Sequence, residues 1–353
     1  MSKIKRSLGV LGALALATAS VTSGSAALAS SRPIVKTKAQ WRAAISKVQQ
    51  PGRGCFRASY PVLKWHSVKC VTAPRVPLVP APAAAARSAR PGGPALVGDG
   101  TDYSAVVSGL ISKGVGTFTN VSSGITEKGQ NGGSGGQVSN AFSLQLNTQF
   151  ISGDPACAHA GVPANCQAWQ QFVYTYESSR SGEIFMQYWL INFDATCPSG
   201  WFTFESDCYT NSNATTVSTV TAAQLATVNL TGSAASGGLD SVSLAIGTGH
   251  ATSVTNSDGK IDLATFWNTA EWGVYGDGGG SEANFGASTT LQAQAVLTDT
   301  SGGAPSCVKE GFTGETNNLT LTTTPALGTE PSPTMATRQT NGTAGTASCA
   351  TAS

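Results

Sequence analysis

The 353-residue chain carries 21 Lys or Arg against 19 Asp or Glu, a formal charge of +2, and only 11% of its residues are charged. A composition this poor in charge and rich in Gly, Ser, Thr and Asn suits short strands joined by polar turns and argues against a helical or cytosolic enzyme. The near balance conceals a split: residues 30–98 hold twelve Lys or Arg and no acid, whereas residues 99–353 hold all 19 acids against six bases, a formal −13 that disfavours nucleic-acid binding by this larger part.

In chain order, Lys3, Lys5 and Arg6 precede an apolar run from Leu8 to Ala17, with small residues at Ala27 and Ala29. This reads as a secretory signal cleaved after Ala29, so the mature chain is expected to be extracellular. No other stretch holds about 18 consecutive apolar residues, so no membrane span is expected, and a monomer is the expectation. Residues 30–98 then read as a basic pro-segment or N-terminal module. Trp41, Ala44, Ile45 and Val48 fall at helical spacing ahead of Pro51-Gly52, and Cys55 and Cys70 close a loop around Phe56, Tyr60 and Trp65. From Pro74 to Gly98 the chain reads as a Pro/Ala/Gly linker with Arg87 and Arg90 as processing sites. Two adjoining segments of opposite sign attract near neutral pH and less so below about pH 4 to 5, the layout of an acid-released pro-segment. The same charge also suits a basic arm that binds an anionic cell surface or nucleic acid.

Beyond Asp99 the pattern has period two. NAFSLQLNTQF, QAWQQFVYTYE and GEIFMQYWLINF predict three strands, the last two a hairpin joined by SSRS, and further alternating runs follow at TVNLTGSA, DSVSLAIG, EWGVYG, STTLQAQAVLT and NLTLTTT. About ten to twelve such strands predict an all-β fold, an antiparallel β-sandwich or jelly roll over residues 99–325. One helix is expected at Lys260–Ala270. Residues 326–353 read as a Thr/Gly-rich tail with little to pack. The eight cysteines fall in neighbouring pairs, Cys55 with Cys70, Cys157 with Cys166, Cys197 with Cys208 and Cys307 with Cys349, the simplest of 105 connectivities.

Metal and cofactor chemistry have little to work with: the cysteine spacings are not C-x-x-C, and His66, His159 and His250 are scattered. Asn256, Asp258 and Asp262 in NSDGKID read better as a solvated turn than as a calcium loop, and neither His159 nor His250 adjoins a G-x-S-x-G elbow. No metal and no cofactor are therefore expected. What remains is carboxylates with amide partners. Alternation along the first strand sets Ser143, Gln145, Asn147 and Gln149 on one face, and the neighbouring strands offer Trp169 and Gln171, then Phe185, Gln187 and Trp189. A face of polar and aromatic groups suits an extended polymer, protein or polysaccharide. Further on, Glu271 and Tyr275 share a strand face about 13 Å apart.

The order SLQLNTQF, AWQQFVY and AEWGVYGDGGGSEANFG resembles the glutamic peptidases of the eqolisin type, whose corresponding segments look like LQTG, AWYEWYP and AEWIVED before a Gly-rich stretch and an NFG-like strand. The resemblance covers roughly 150 residues. It implies a concanavalin A-like sandwich in which a glutamate acts as general base on water and a glutamine amide stabilises the oxyanion. By position Gln145 matches the glutamine and Glu271 the glutamate of the AEW triplet, while the family's catalytic glutamate, four residues on, is here Tyr275. The resemblance thus implies an acid-acting endopeptidase precursor with Glu271 as the base and Gln145 as the oxyanion partner, and the strand faces set Trp169, Gln171, Gln187, Trp189 and Tyr275 to bind substrate. The alternatives are a non-catalytic carbohydrate- or cell-surface-binding sandwich and a glycoside hydrolase drawing on Glu177, Glu183, Glu310 and Glu315. A further possibility lies in CVKEGFTGETNNL, where Glu310 and Glu315 sit near Cys307 with no mechanism attached, and a structural turn is the expectation there.

Overall fold

The computed structural model describes residues 37–81, 96–329, 332–342, 345 and 348–349. The signal segment and the arginines at 87 and 90 lie outside them. The longest alternating runs form the longest strands: Gln167–Ser178 and Ser181–Ile191 make the expected hairpin, with Trp169 opposite Trp189 and Gln171 opposite Gln187. The Phe142–Thr148 strand pairs antiparallel with Gln167–Ser178 on one side and with Thr269–Gly276 on the other. Together with Asp207–Asn211 these strands form the middle of an 11-stranded sheet that faces a second, 14-stranded sheet.

Period-two alternation divides each central strand between two environments. Inward, Leu144, Leu146, Phe172, Tyr174 and Met186 meet Leu230, Val242 and Val254 of the larger sheet in one apolar core. Burial of each such side chain contributes about 1.5–3 kcal/mol, which holds the sheets face to face. The architecture is the all-β, antiparallel sandwich expected from the alternation, and all four cysteine pairs form between neighbours in sequence. No described helix is long and apolar enough to cross a membrane.

Three stretches differ from expectation. The basic segment is not a separate module: Gly54–Ser59 extends the larger sheet by pairing with His250–Ser257. The helix Lys38–Ile45, closed at its start by a Thr37–Gln40 capping box, buries Trp41 and Ile45 against Phe56, Ala58 and Ala251. Two arginines of the basic segment meet neutral oxygens, Arg53 donating to Asn256 Oδ1 at 2.8 Å and Arg57 to the Thr216 carbonyl at 3.3 Å. Strand pairing and apolar packing therefore carry the attachment, with direct ion pairing playing no part in these two contacts. The supposed tail contains Thr334–Thr340, a strand inside the larger sheet between Thr290–Asp299 and Thr316–Leu321, whose many Thr residues mask its alternation. The helix expected at 260–270 shrinks to Leu263–Phe266, because Thr269 already begins the next strand.

Candidate functional site

Register assembles the site on the outer face of the smaller sheet. Glu271 lies opposite Asn147, Asn147 opposite Gln171, Gln171 opposite Gln187, and Gln187 opposite Asn211, so five neighbouring strands set one carboxyl and four amides in a transverse row. Two residues along, Gly273, Gln145, Val173 and Phe185 form the next row. On the other side Trp169, Trp189 and Tyr209 form an aromatic row. Facing side chains on neighbouring strands sit about 5 Å apart, close enough for amides to hydrogen-bond along a row.

Those bonds fix the orientation of Gln145. Its Oε1 accepts from Asn147 Nδ2 and from Gln171 Nε2, both at 3.2 Å, so Nε2 is the end turned outward, donating to Ser143 Oγ at 2.9 Å and to Glu315 Oε2 at 3.3 Å. Glu271 Oε2 accepts from Asn147 Nδ2 at 2.9 Å and from the backbone N–H groups of Phe312 and Thr313. The Tyr275 ring lies back over Gly273, where an added Cβ would come within 2.5 Å of it, and its hydroxyl donates to Asp102 at 2.6 Å. Glycine at 273 is thus what allows Tyr275 to span the distance along its strand. Burial raises the carboxyl pKa values of Asp102 and Glu271, which also repel each other's charge, and burial raises Glu315 as well.

Glu315 is fully buried and receives four donors: Gln145 Nε2, the Thr313 hydroxyl, and the backbone N–H groups of Gly280 at 3.1 Å and Val79 at 2.9 Å. The last of these comes from the stretch expected to be a free linker. Residues 73–81 instead cross the polar row in extended form, their main chain bonded to both the floor and the walls. From the floor, Asn211 donates to the Pro74 carbonyl, and Gln187 receives the Leu78 N–H at 2.8 Å while donating to the Val76 carbonyl at 3.0 Å. From the walls, Gly279 N–H donates to the Pro77 carbonyl and Gly314 N–H to the Val79 carbonyl, and Ala81 N–H donates to the Phe312 carbonyl. The wall at 278–280 is three glycines with positive φ, and at Gly278 (φ +93°) an added Cβ would lie 2.3 Å from Val76 Cγ1. Only glycine adopts such conformations without strain, so the Gly-rich run can turn successive N–H groups inward.

Two pockets receive the side chains of this strap. Leu78 is completely buried among Val173, Phe185 and Ala214. Val79 packs on the cluster of Trp169, Trp189, Tyr209 and Phe312. The seven residues expected at the site, Gln145, Trp169, Gln171, Gln187, Trp189, Glu271 and Tyr275, therefore all lie on this one face, each fully buried and sealed from solvent. Glu315, expected to be part of a structural turn, joins them as a buried acceptor, and Asp102 and Asn211 join them without any local signal in the sequence. Glu315 and Asp102 come from loops beside the sheet, and Asn211 lies on a five-residue strand. Among the described residues no group of three or more His, Cys, Asp or Glu side chains is placed to hold a metal ion. No family model, curated protein or solved structure matches the chain.

Proposed function

We propose that the chain is the precursor of a secreted, acid-acting endopeptidase that works through a carboxyl and an amide, with residues 73–81 occupying its cleft. One observation carries the reading: the nitrogen of the Leu78–Val79 peptide bond donates to Glu315 Oε1 at 2.9 Å, while the other oxygen of the same carboxyl receives Gln145 Nε2. A backbone amide is thus seated on a buried carboxyl beside a fixed amide donor. Among the described residues, the carbonyls of Pro74, Arg75, Val76, Pro77 and Val79 each accept a hydrogen bond and that of Leu78 accepts none.

In the proposed reaction the Glu315 carboxylate takes a proton from water as the water oxygen bonds to the substrate carbonyl carbon. Gln145 Nε2 donates to the resulting oxyanion. Glu315 then passes the proton to the amide nitrogen as the C–N bond breaks, leaving a new carboxyl and a new amine. Glu271, the base expected from the sequence, reaches Gln145 only through Asn147 and is capped by two backbone N–H groups; it holds the amide row and the 312–313 segment in place. When the strap departs, water replaces it at Glu315, which lowers that group's pKa toward the acid range in which a carboxylate base is needed. The four cysteine pairs agree with folding in an oxidising compartment outside the cell. A polysaccharide-binding role has less support, because Trp169 and Trp189 are fully buried and offer no ring face to a sugar while the strap is seated.

The test follows full-length protein at pH 3.5 and pH 7 by intact mass and casein hydrolysis together. Chain cleavage and casein hydrolysis at acid pH only are expected. Glu315→Gln is expected to lose about 10²–10⁴ in rate and Gln145→Ala about 10²–10³. Undiminished hydrolysis in folded Glu315→Gln, with loss confined to Glu271→Gln, would transfer the base role to Glu271.

A further inference from the structure

We infer that this cleft recognises extended peptides by a pair of adjacent aliphatic side chains, a leucine followed by a β-branched residue, and that Leu78-Val79 is the built-in copy of that pair. The inference rests on the peptidase reading for its chemistry but on separate contacts for its recognition. The two pockets differ in kind. Leu78 is completely buried in an apolar cluster with Val173, Phe185, Ala214 and the strap's own Ala73, so a charged side chain there would lose its hydration. The neighbouring pocket is walled by Trp169, Trp189, Tyr209 and Phe312, and Val79 lies half-buried against it.

Main-chain recognition is independent of side-chain identity. Gln187 holds the peptide groups on either side of Pro77, accepting from Leu78 N–H and donating to the Val76 carbonyl. The 312–314 segment pairs with the strap as an added antiparallel strand does, through Val79 and Ala81. Such pairing admits any extended peptide, so discrimination falls to the two pockets. Pro77 and Pro80 bracket the pair. Their fixed φ stiffens the strap in the conformation the cleft requires, which lowers the entropy lost on docking and favours a resident occupant over one that leaves.

The experiment uses the full chain with Leu78→Asp, which removes the strap's own anchor, and a synthetic nonapeptide with the sequence of residues 73–81, APRVPLVPA. Leu78→Ala serves as the second variant, and circular dichroism establishes that each is folded. Titration calorimetry with the nonapeptide is expected to show binding to both variants, no binding to the unsubstituted chain, and at least tenfold weaker binding of the nonapeptide with Asp in place of its leucine. Equal binding of the two nonapeptides, or none by a folded variant, overturns the inference. Hydrolysis of the leucine peptide is scored separately at pH 4. Binding without hydrolysis upholds the recognition and removes the peptidase reading, whereas hydrolysis indifferent to the leucine upholds the peptidase reading and removes the inference.

Discussion

Substituting Glu127 by Gln measures directly what the buried acids do to this protein. Glu127 is 2% exposed, and burial, helped by nearby Asp277, pushes its pKa from 4.5 to about 8. Below about pH 4.5 the group is neutral whether the chain is folded or not. Between that value and pH 8 the unfolded chain has released a proton that the folded chain still holds, so stability falls as pH rises, and above pH 8 the full loss is present. A rise from 4.5 to about 8 corresponds to roughly 5 kcal/mol at ~1.36 kcal/mol per pH unit. Relaxation around the charge reduces this, and a third of it still amounts to about 1.5 kcal/mol. At about 2–4 °C per kcal/mol for a domain of this size, Glu127 alone lowers Tm by roughly 3–6 °C between pH 4 and pH 8.5. Asp240 and Asp277, both pushed up to about 7 mainly by burial, act in the same direction. Calorimetric unfolding of the two proteins at pH 4, 6 and 8.5 is the assay. The unsubstituted chain is expected to melt higher at pH 4 than at pH 8.5, and Glu127→Gln to narrow that gap by raising the alkaline value. A lower Tm at pH 4, or a gap the substitution leaves unchanged, would refute the assignment of acid stability to buried carboxyls.

Two further substitutions test how the N-terminal residues are held. Gly278→Ala places a methyl group against Val76 at a positive-φ position, so the wall should shift and the strap loosen at a cost of about 1–3 kcal/mol. Faster cleavage of the 73–81 stretch by an added protease is the expected readout, and an unchanged rate counts against the wall. Trp41→Ala removes a fully buried ring that also donates from Nε1 to the Val62 carbonyl, an expected loss of about 3–5 kcal/mol. Limited proteolysis should then cut within residues 37–72 while the sandwich stays intact. Equal resistance would mean that strand pairing at Gly54–Ser59 suffices without the helix.

The conflict between the charge split and the structure is instructive. Opposite formal charges on residues 30–98 and 99–353 suggest an attachment that acid weakens, yet residues 37–59 are held by strand pairing, an apolar cluster and, at Arg53 and Arg57, hydrogen bonds to neutral oxygens. The buried carboxyls add a trend of the opposite sign, since a protonated Glu127 or Asp277 favours the folded state. Acid should therefore leave the sandwich firm, and under the proposed function departure of the strap requires that the chain be cut.

Sequence by itself determined the all-β sandwich, the Gln167–Ser178 and Ser181–Ile191 hairpin and the shared strand faces of Gln145, Gln171 and Gln187, because period-two alternation is a local property of the chain, whereas the cysteines offered neighbour pairing only as the simplest connectivity, which the structure bears out. It missed the Thr334–Thr340 strand, where Thr on both faces blurs the alternation. Tertiary structure alone decided that these residues form one transverse row, since that depends on the register of five strands drawn from residues 142 to 276. It alone brought Glu315 to Gln145 across 170 positions of sequence and laid Leu78 and Val79 over both. A proline-rich run such as 74–81 lacks any internal periodicity, and it becomes ordered only where a groove supplies the hydrogen-bond partners and pockets that its own residues cannot.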